Sequence, residues 1–273
     1  MRPRHTGFCF GVRDALELAR GALDPGRTVV ALGQVVHNAS ALQALEARGL
    51  RQAPELPAAG STRVVVTAHG VGPATFASAR ERGLEVVDTT CPLVRRVQRH
   101  ARELGESGWP VVVVGHEDHA EVRGVVGWAG PQVEVVADEQ QARTLPWADR
   151  RGVVSQSTFP QDAFGRVVAA VGERTGEVRV HDTTCPVVNQ RQREAQGGFL
   201  DQADVILVVG GRGSANTRAL AETCARRRPT HQIETAEEIA PEWFRPGQLV
   251  GIASGTSTPD WVVDEVEARC RAL

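Results

Sequence analysis

Short valine-rich runs at 63–67, 85–88, 110–115, 132–136, 178–180, 204–210 and 249–253 punctuate the chain, and between them lie mixed stretches of helical length. Apolar runs this short suit strands buried on both faces, and their alternation with helical segments predicts parallel sheets flanked by helices. The expected fold class is α/β. Two segments are nearly identical, VVDTTCPLV at 86–94 and VHDTTCPVV at 180–188, and each leads into a polar helical stretch and then an apolar run ending in Gly. Proline directly after the cysteine suits the first position of a helix, so Cys91 and Cys185 are expected where a strand ends and a helix begins.

A common spacing extends the repeat to a third, more diverged copy. Cys91 precedes Gly115 by 24 residues, Cys185 precedes Gly210 by 25, and Cys9 precedes Gly33 by 24. Four residues past each of these glycines stands His37, His119 or Ser214. A further apolar run in each copy stops at a polar cluster, VVVTAHG at 64–70, GVVSQST at 152–158 and GIASGTST at 251–258. Repetition of this kind predicts three pseudo-symmetric α/β lobes, at 1–89, 90–183 and 184–262, packed as a trefoil, with a helical tail at 263–273.

Composition changes the picture little. With 41% hydrophobic and 23% charged residues and a formal net charge of -2, the chain offers no electrostatic case for nucleic acid or an anionic membrane. No apolar run approaches the roughly 18 residues of a membrane span. The opening MRPRHTGFCFGV also lacks the apolar stretch of a signal peptide, so a cytoplasmic location is expected. Five cysteines, odd in number and widely spaced, argue against a disulfide scaffold and leave metal binding or catalysis.

Cys9, Cys91 and Cys185 occupy equivalent points of the three copies. A thiol at a helix N-terminus has a lowered pKa, soft thiolates select zinc or iron–sulfur clusters, and three ligands leave one metal position open. Cys224 and Cys270 have no counterpart in the repeat and read as packing residues. His37, His69 and His119 each follow an apolar run, and imidazoles beside helix N-termini suit hydrogen bonding to phosphate. Ser214, Asn216 and Ser257 add neutral donors at comparable points of the third copy. Glu121 follows His119 by two residues and is the candidate proton donor, with Ser157 or Thr158 as a relay. His116 shares that loop but falls off the repeat, and His5, His100, His181 and His231 read as structural.

Assembled in order, GFCFGV, VVHN, AHGV, DTTCPLV, GHEDHAEVRG, SQST, GSAN and GTSTPD resemble the 4-hydroxy-3-methylbut-2-enyl diphosphate reductase family over nearly the whole chain. The resemblance implies a trefoil of three α/β lobes around a [4Fe-4S] cluster held by Cys9, Cys91 and Cys185, with its fourth iron open to the substrate hydroxyl. It further implies a diphosphate pocket of His37, His69, His119, Ser214, Asn216 and Ser257, proton supply by Glu121 with Ser157 nearby, and single electrons from a ferredoxin or flavodoxin. The products implied are isopentenyl and dimethylallyl diphosphates.

The chain departs from the family pattern at Val187 and Val188, where small and hydroxyl residues are usual, at Ala215 in place of a second serine, at Ala120 in place of proline and at Ser157 in place of threonine. Two other classes stay open on the residues alone. One is another three-cysteine [4Fe-4S] enzyme, of the quinolinate synthase or diphthamide-forming type or acting on a related allylic or phosphorylated substrate. The other is a non-catalytic metal-binding or redox-sensing protein that closes a zinc site with a histidine.

Overall fold

Parallel pairing organises every described strand, in a computed structural model that describes residues 1–58, 60 and 62–273. Contacts divide the molecule into two compact units. A first unit comprises Met1–Arg13, Val36–Gln43 and Pro186–Leu273, and a second comprises Asp14–Val35 and Ala44–Cys185.

The chain runs through α1 (Phe10–Ala22), β1 (Val29–Leu32), α2 (Ala39–Glu46), β2 (Leu50–Ala53), β3 (Arg63–Val66), α3 (Pro73–Glu81) and β4 (Glu85–Asp88). These strands form one parallel sheet in the order β2-β1-β3-β4. Next come α4 (Pro92–Glu106), β5 (Val111–Val114), α5 (Ala120–Ala129), β6 (Val133–Val136), α6 (Glu139–Thr144), β7 (Ala148–Ser155), α7 (Gln161–Gly172) and β8 (Thr175–Val180), whose sheet order is β6-β5-β7-β8. Both sheets belong to the second unit.

The first unit carries α8 (Pro186–Gln196), α9 (Gly198–Gln202), β9 (Val205–Val209), α10 (Ala215–Ala225), β10 (Thr230–Ile233), β11 (Val250–Ser254) and α11 (Asp260–Arg271), with sheet order β10-β9-β11. In all three sheets the first three strands are ordered second, first, third. The expected α/β class, with its repeated parallel sheets, is the fold observed.

Strand residues point alternately to opposite faces, and the valine runs supply both faces with apolar surface. On β5, Val112 and Val114 join Phe164, Val167 and Val171 of α7. Val111 and Val113 join Val97, Ala101 and Leu104 of α4 with Val122 and Val125 of α5. β9 repeats the device in the first unit: Leu207 and Val209 pack on Val262, Val263 and Val266 of α11, while Ile206 and Val208 pack on Leu220 and Cys224 of α10. Each such side chain stabilises the fold by roughly 1.5–3 kcal/mol when fully buried.

β2 and β10, with sequences LRQA and THQI, fall outside the valine runs. Both are edge strands with mostly half-buried or exposed residues.

One close approach positions the site within the second unit. A Cβ on Gly124 would lie 3.4 Å from the carbonyl oxygen of Gly70, and one on Gly127 would lie 3.1 Å from the Cα of Gly72. The bare backbone of α5 therefore receives the 70–72 loop, and the Trp128 indole N–H fixes the contact by donating to the Val71 carbonyl at 2.9 Å. Among the described residues, no helix is long and apolar enough to cross a membrane.

Leu207, fully buried at the centre of the first unit's sheet, gives a test of this packing. Leu207→Ala should cost about 2–5 kcal/mol, read as a lowered denaturation midpoint with an unchanged denaturant slope.

Candidate functional site

Each of the three repeated cysteines hangs from the same backbone hydrogen bond. The N–H of Cys91 donates to the Ala68 carbonyl at 3.0 Å, that of Cys185 to Ser157 at 2.7 Å and that of Cys9 to Thr256 at 3.0 Å. Those acceptors lie two residues past the ends of β3, β7 and β11, at Val66, Ser155 and Ser254. A helix follows each cysteine directly, with Cys91 as the N-cap of α4 and Pro186 opening α8. None of the three is in a disulfide.

In the second unit the DTTC turns are copies in atomic detail. Asp88 Oδ1 accepts from the N–H of Thr90 at 3.0 Å and from its hydroxyl at 2.5 Å, and Asp182 Oδ1 repeats both bonds with Thr184 at the same lengths. The hydroxyls of Thr89 and Thr183 donate to the carbonyls that end β3 and β7, at 2.6 and 2.8 Å.

His119 is the N-cap of α5. Its Nδ1 accepts the N–H of Glu121 at 3.2 Å, which leaves Nε2 to carry the ring proton as a donor. The His69 ring meets it edge to face, with centroids 5.6 Å apart at 84°. Thr67 Oγ1 lies 3.4 Å from His69 Nδ1.

Glu121 is 1% exposed. Its carboxylate accepts the N–H of Ser157 at 2.6 Å and the Ser157 hydroxyl at 2.9 Å. Burial pushes its pKa up from 4.5 to about 7, against the two Ser157 bonds, which favour the ionised form. Near neutrality the group is therefore divided between a proton-bearing acid and an anion. Ionising it in the folded protein is disfavoured, so its contribution to stability is fully present below 4.5 and is lost as pH rises through about 7.

In the first unit Ser214 caps α10, its Oγ accepting the N–H of Thr217 at 3.3 Å, so its hydroxyl hydrogen is left to donate. Asn216 Nδ2 donates to Thr256 Oγ1 at 3.2 Å, beside the carbonyl that holds Cys9. The Ser257 hydroxyl donates to the His37 carbonyl at 3.2 Å and would have to rotate to serve an anion. Burial, and then the neighbouring Arg218 charge, lower the His37 pKa, which keeps its imidazole neutral. The repeat spacing matches His37 to the caps His119 and Ser214, but the cap of α2 is Asn38, whose Oδ1 accepts the N–H of Ala41 at 3.0 Å.

Two buried residues escaped the sequence reading. Arg191 donates through Nη1 to the carbonyls of Ser254 at 3.2 Å and Gly255 at 2.8 Å, and through Nη2 to Gly7 at 2.7 Å. One guanidinium thus ties the segment before Cys9 to the loop that leads to Ser257. On a polar helix such an arginine reads as solvated. Gln156, 1% exposed, accepts the N–H of His116 at 3.1 Å and donates to Thr158 Oγ1 at 2.9 Å. Its only signal is a polar residue closing an apolar run.

The residues set aside as structural behave so. His5 bonds Glu194 at 2.5 Å, His100 stacks on His181 at 4.3 Å and His231 on Trp243 at 4.0 Å. Cys224 lies in the core with its thiol pushed up to about 11 by burial, and burial also raises that of Cys270.

Residues 1–271 match the family described as LytB protein. The chain is 42% identical over 267 residues to a 4-hydroxy-3-methylbut-2-enyl diphosphate reductase of Pelobacter propionicus, covering 97% of this chain and 95% of that one. It is 39% identical over 267 residues to the protein of the same name from Geobacter sulfurreducens, covering 97% and 94%. A solved structure of (E)-4-hydroxy-3-methyl-but-2-enyl diphosphate reductase, the terminal enzyme of the non-mevalonate pathway, is similar with a TM-score of 0.73 and 33% identity over 100% of this chain and 99% of that one. The fold is also that of the E-1-hydroxy-2-methyl-but-2-enyl-4-diphosphate reductase from Plasmodium falciparum, with a TM-score of 0.90 and 21% identity over 98% and 86% of the two chains.

The Glu121–Ser157 pair makes a separate prediction. Ser157→Ala deletes a donor to the carboxylate, so the Glu121 pKa should rise further above about 7. Infrared titration of the protonated carboxyl stretch measures this directly, and a downward shift would contradict the assigned direction of the bond.

Proposed function

The chain belongs to the LytB family, and from that premise we propose that it reduces 4-hydroxy-3-methylbut-2-enyl diphosphate to isopentenyl and dimethylallyl diphosphates in the cytoplasm. Overall, two electrons and two protons are consumed. The allylic C–O bond breaks, a C–H bond forms and the hydroxyl leaves as water. The observation that carries the reading is Ser157, which holds both oxygens of the buried Glu121 while its own carbonyl anchors Cys185. A proton donor is thereby attached to the support of a soft-metal ligand.

Cys9, Cys91 and Cys185 fit a [4Fe-4S] cluster by their chemistry, since none is in a disulfide and each sits at a matched strand-to-helix turn. When bound, that group supplies single electrons and a Lewis-acidic iron at the leaving oxygen. The electrons come from a ferredoxin or flavodoxin.

The protein's own groups do the rest. His37, His69, His119, Ser214, Asn216 and Ser257 hold the diphosphate. The helix N-termini capped by His119 and Ser214 favour that anion, and each hydrogen bond to a charged oxygen contributes about 1.5–3 kcal/mol. Glu121 in its acid form passes its proton through the Ser157 hydroxyl to the departing hydroxyl, turning a poor leaving group into water.

Anaerobic protein reconstituted with iron and sulfide, given a reduced viologen, should consume the substrate and release both products. Zinc in place of iron, or an intact cluster with no turnover beside an active relative, would overturn the reading. Glu121→Gln should lower kcat by roughly 10²–10⁴ while the cluster's paramagnetic signal persists. Wild-type rate should fall above about pH 7, where Glu121 loses its proton, and that limb should vanish in Glu121→Gln.

A further inference from the structure

Helix α4 starts at Cys91 and carries four arginines in its next three turns, Arg95, Arg96, Arg99 and Arg102. Its opposite face, Val94, Val97, Ala101 and Leu104, is buried in the second unit. The arginines line a groove of about 490 Å³, with Gln98 and Trp128 completing its wall and Pro92 at its Cys91 end. Among the described residues, no acidic side chain lines it.

Three features make this more than a solvated helix face. Arg95, Arg99 and Arg102 recur at helical spacing on one side and keep 52%, 57% and 48% of their side-chain surface exposed. The nearest carboxylates to Arg99 and Arg102 are Glu103 and Glu106, each 3.8 Å away and themselves 51% and 70% exposed, so solvent screens both pairs. Arg95 is better paired, with Asp88 at 2.9 Å. Gln98, only 8% exposed, has an Nε2 with no hydrogen-bond partner among the described residues. Trp128 has its indole N–H fixed on Val71 and Arg102 lying 5.8 Å over its ring.

Arginine beside a half-buried tryptophan is the composition of a protein-binding hot spot. In a chain of net charge -2, four of the groove's seven lining residues are arginines.

Resting on the reductase reading, we propose that this groove docks a small acidic one-electron carrier protein and that Cys91, at its end, is where electrons enter. Arg95 to Arg102 spans about 10 Å of helix, the footprint of a protein edge rather than of one phosphate. A positive stripe beside a ligand thiolate steers a negatively charged partner into productive orientation, which raises the association rate and makes it fall with ionic strength. The carrier is oxidised by one electron per encounter, and two encounters complete a turnover.

The test compares Arg99→Glu/Arg102→Glu with wild type as anaerobic holoenzymes. Both positions lie outside the substrate and cluster machinery. Stopped-flow reduction by an acidic [2Fe-2S] ferredoxin at low salt should slow at least tenfold in the variant. The steep salt dependence of the wild-type rate should flatten, and turnover driven by reduced methyl viologen should stay within twofold. Arg99→Gln/Arg102→Gln should fall between the two and guards against misfolding of the reversed pair. An unchanged ferredoxin rate, or equal slowing with ferredoxin and viologen, overturns the docking site. Preferential binding of an RNA oligonucleotide over the ferredoxin overturns it too. Failure of viologen-driven turnover in wild type would instead count against the reductase reading.

Discussion

The amide hydrogen of each repeated cysteine must find an acceptor at the carboxyl edge of a parallel sheet, and the rest of the site is arranged around how that is met. In every copy the acceptor is the carbonyl two residues beyond the third strand of the repeat: Ala68, Ser157 or Thr256. The following residue is then fixed as well: His69, Thr158 or Ser257. A single bond of this kind is worth only about 1 kcal/mol. Its force lies in repetition, because the register of a parallel strand pair decides which carbonyl is offered, and a one-residue slip would turn every side chain of the strand to the other face. Sheet register and cysteine position are thus one constraint.

Ser157 shows how far that constraint reaches. Its carbonyl takes the Cys185 amide, its N–H and hydroxyl hold Glu121, and its neighbour Gln156 supports the His116 backbone. Glu121 in turn donates its backbone N–H to His119 and so fixes the tautomer of that ring. The chain from a cysteine to an acid to a histidine donor therefore runs through Ser157, just past β7, Glu121 in the first turn of α5 and His119 at its cap.

The repeat made most of this legible before any coordinates. Valine runs marked central strands such as β5 and β9, covered on both faces, and also edge strands such as β4 and β6, and the DTTC copies marked two cysteine turns. LRQA and THQI carry no such signal, because three of the four residues in each are half-buried or exposed and need no apolar side chain. The spacing matches His37 to His119 and Ser214 but misses its local role, because Asn38 is the better cap and takes it. Arg191 and the Gly124–Gly127 stretch were invisible for another reason. Their meaning depends on which backbone passes nearby, and sequence periodicity holds no record of distant carbonyls.

Charge placement gives the remaining logic. Around Glu121 the hydrogen-bond donors are the neutral N–H and hydroxyl of Ser157, while Arg191 spends its donors on backbone carbonyls and Arg95, Arg96, Arg99 and Arg102 line the outer groove. A guanidinium beside Glu121 would favour its anion and draw its pKa down, removing the proton that the reaction needs near neutrality. Burial alone raises that pKa, and neutral donors leave it raised. Held only by the backbone N–H and hydroxyl of Ser157, Glu121 therefore keeps the proton that the proposed reaction uses.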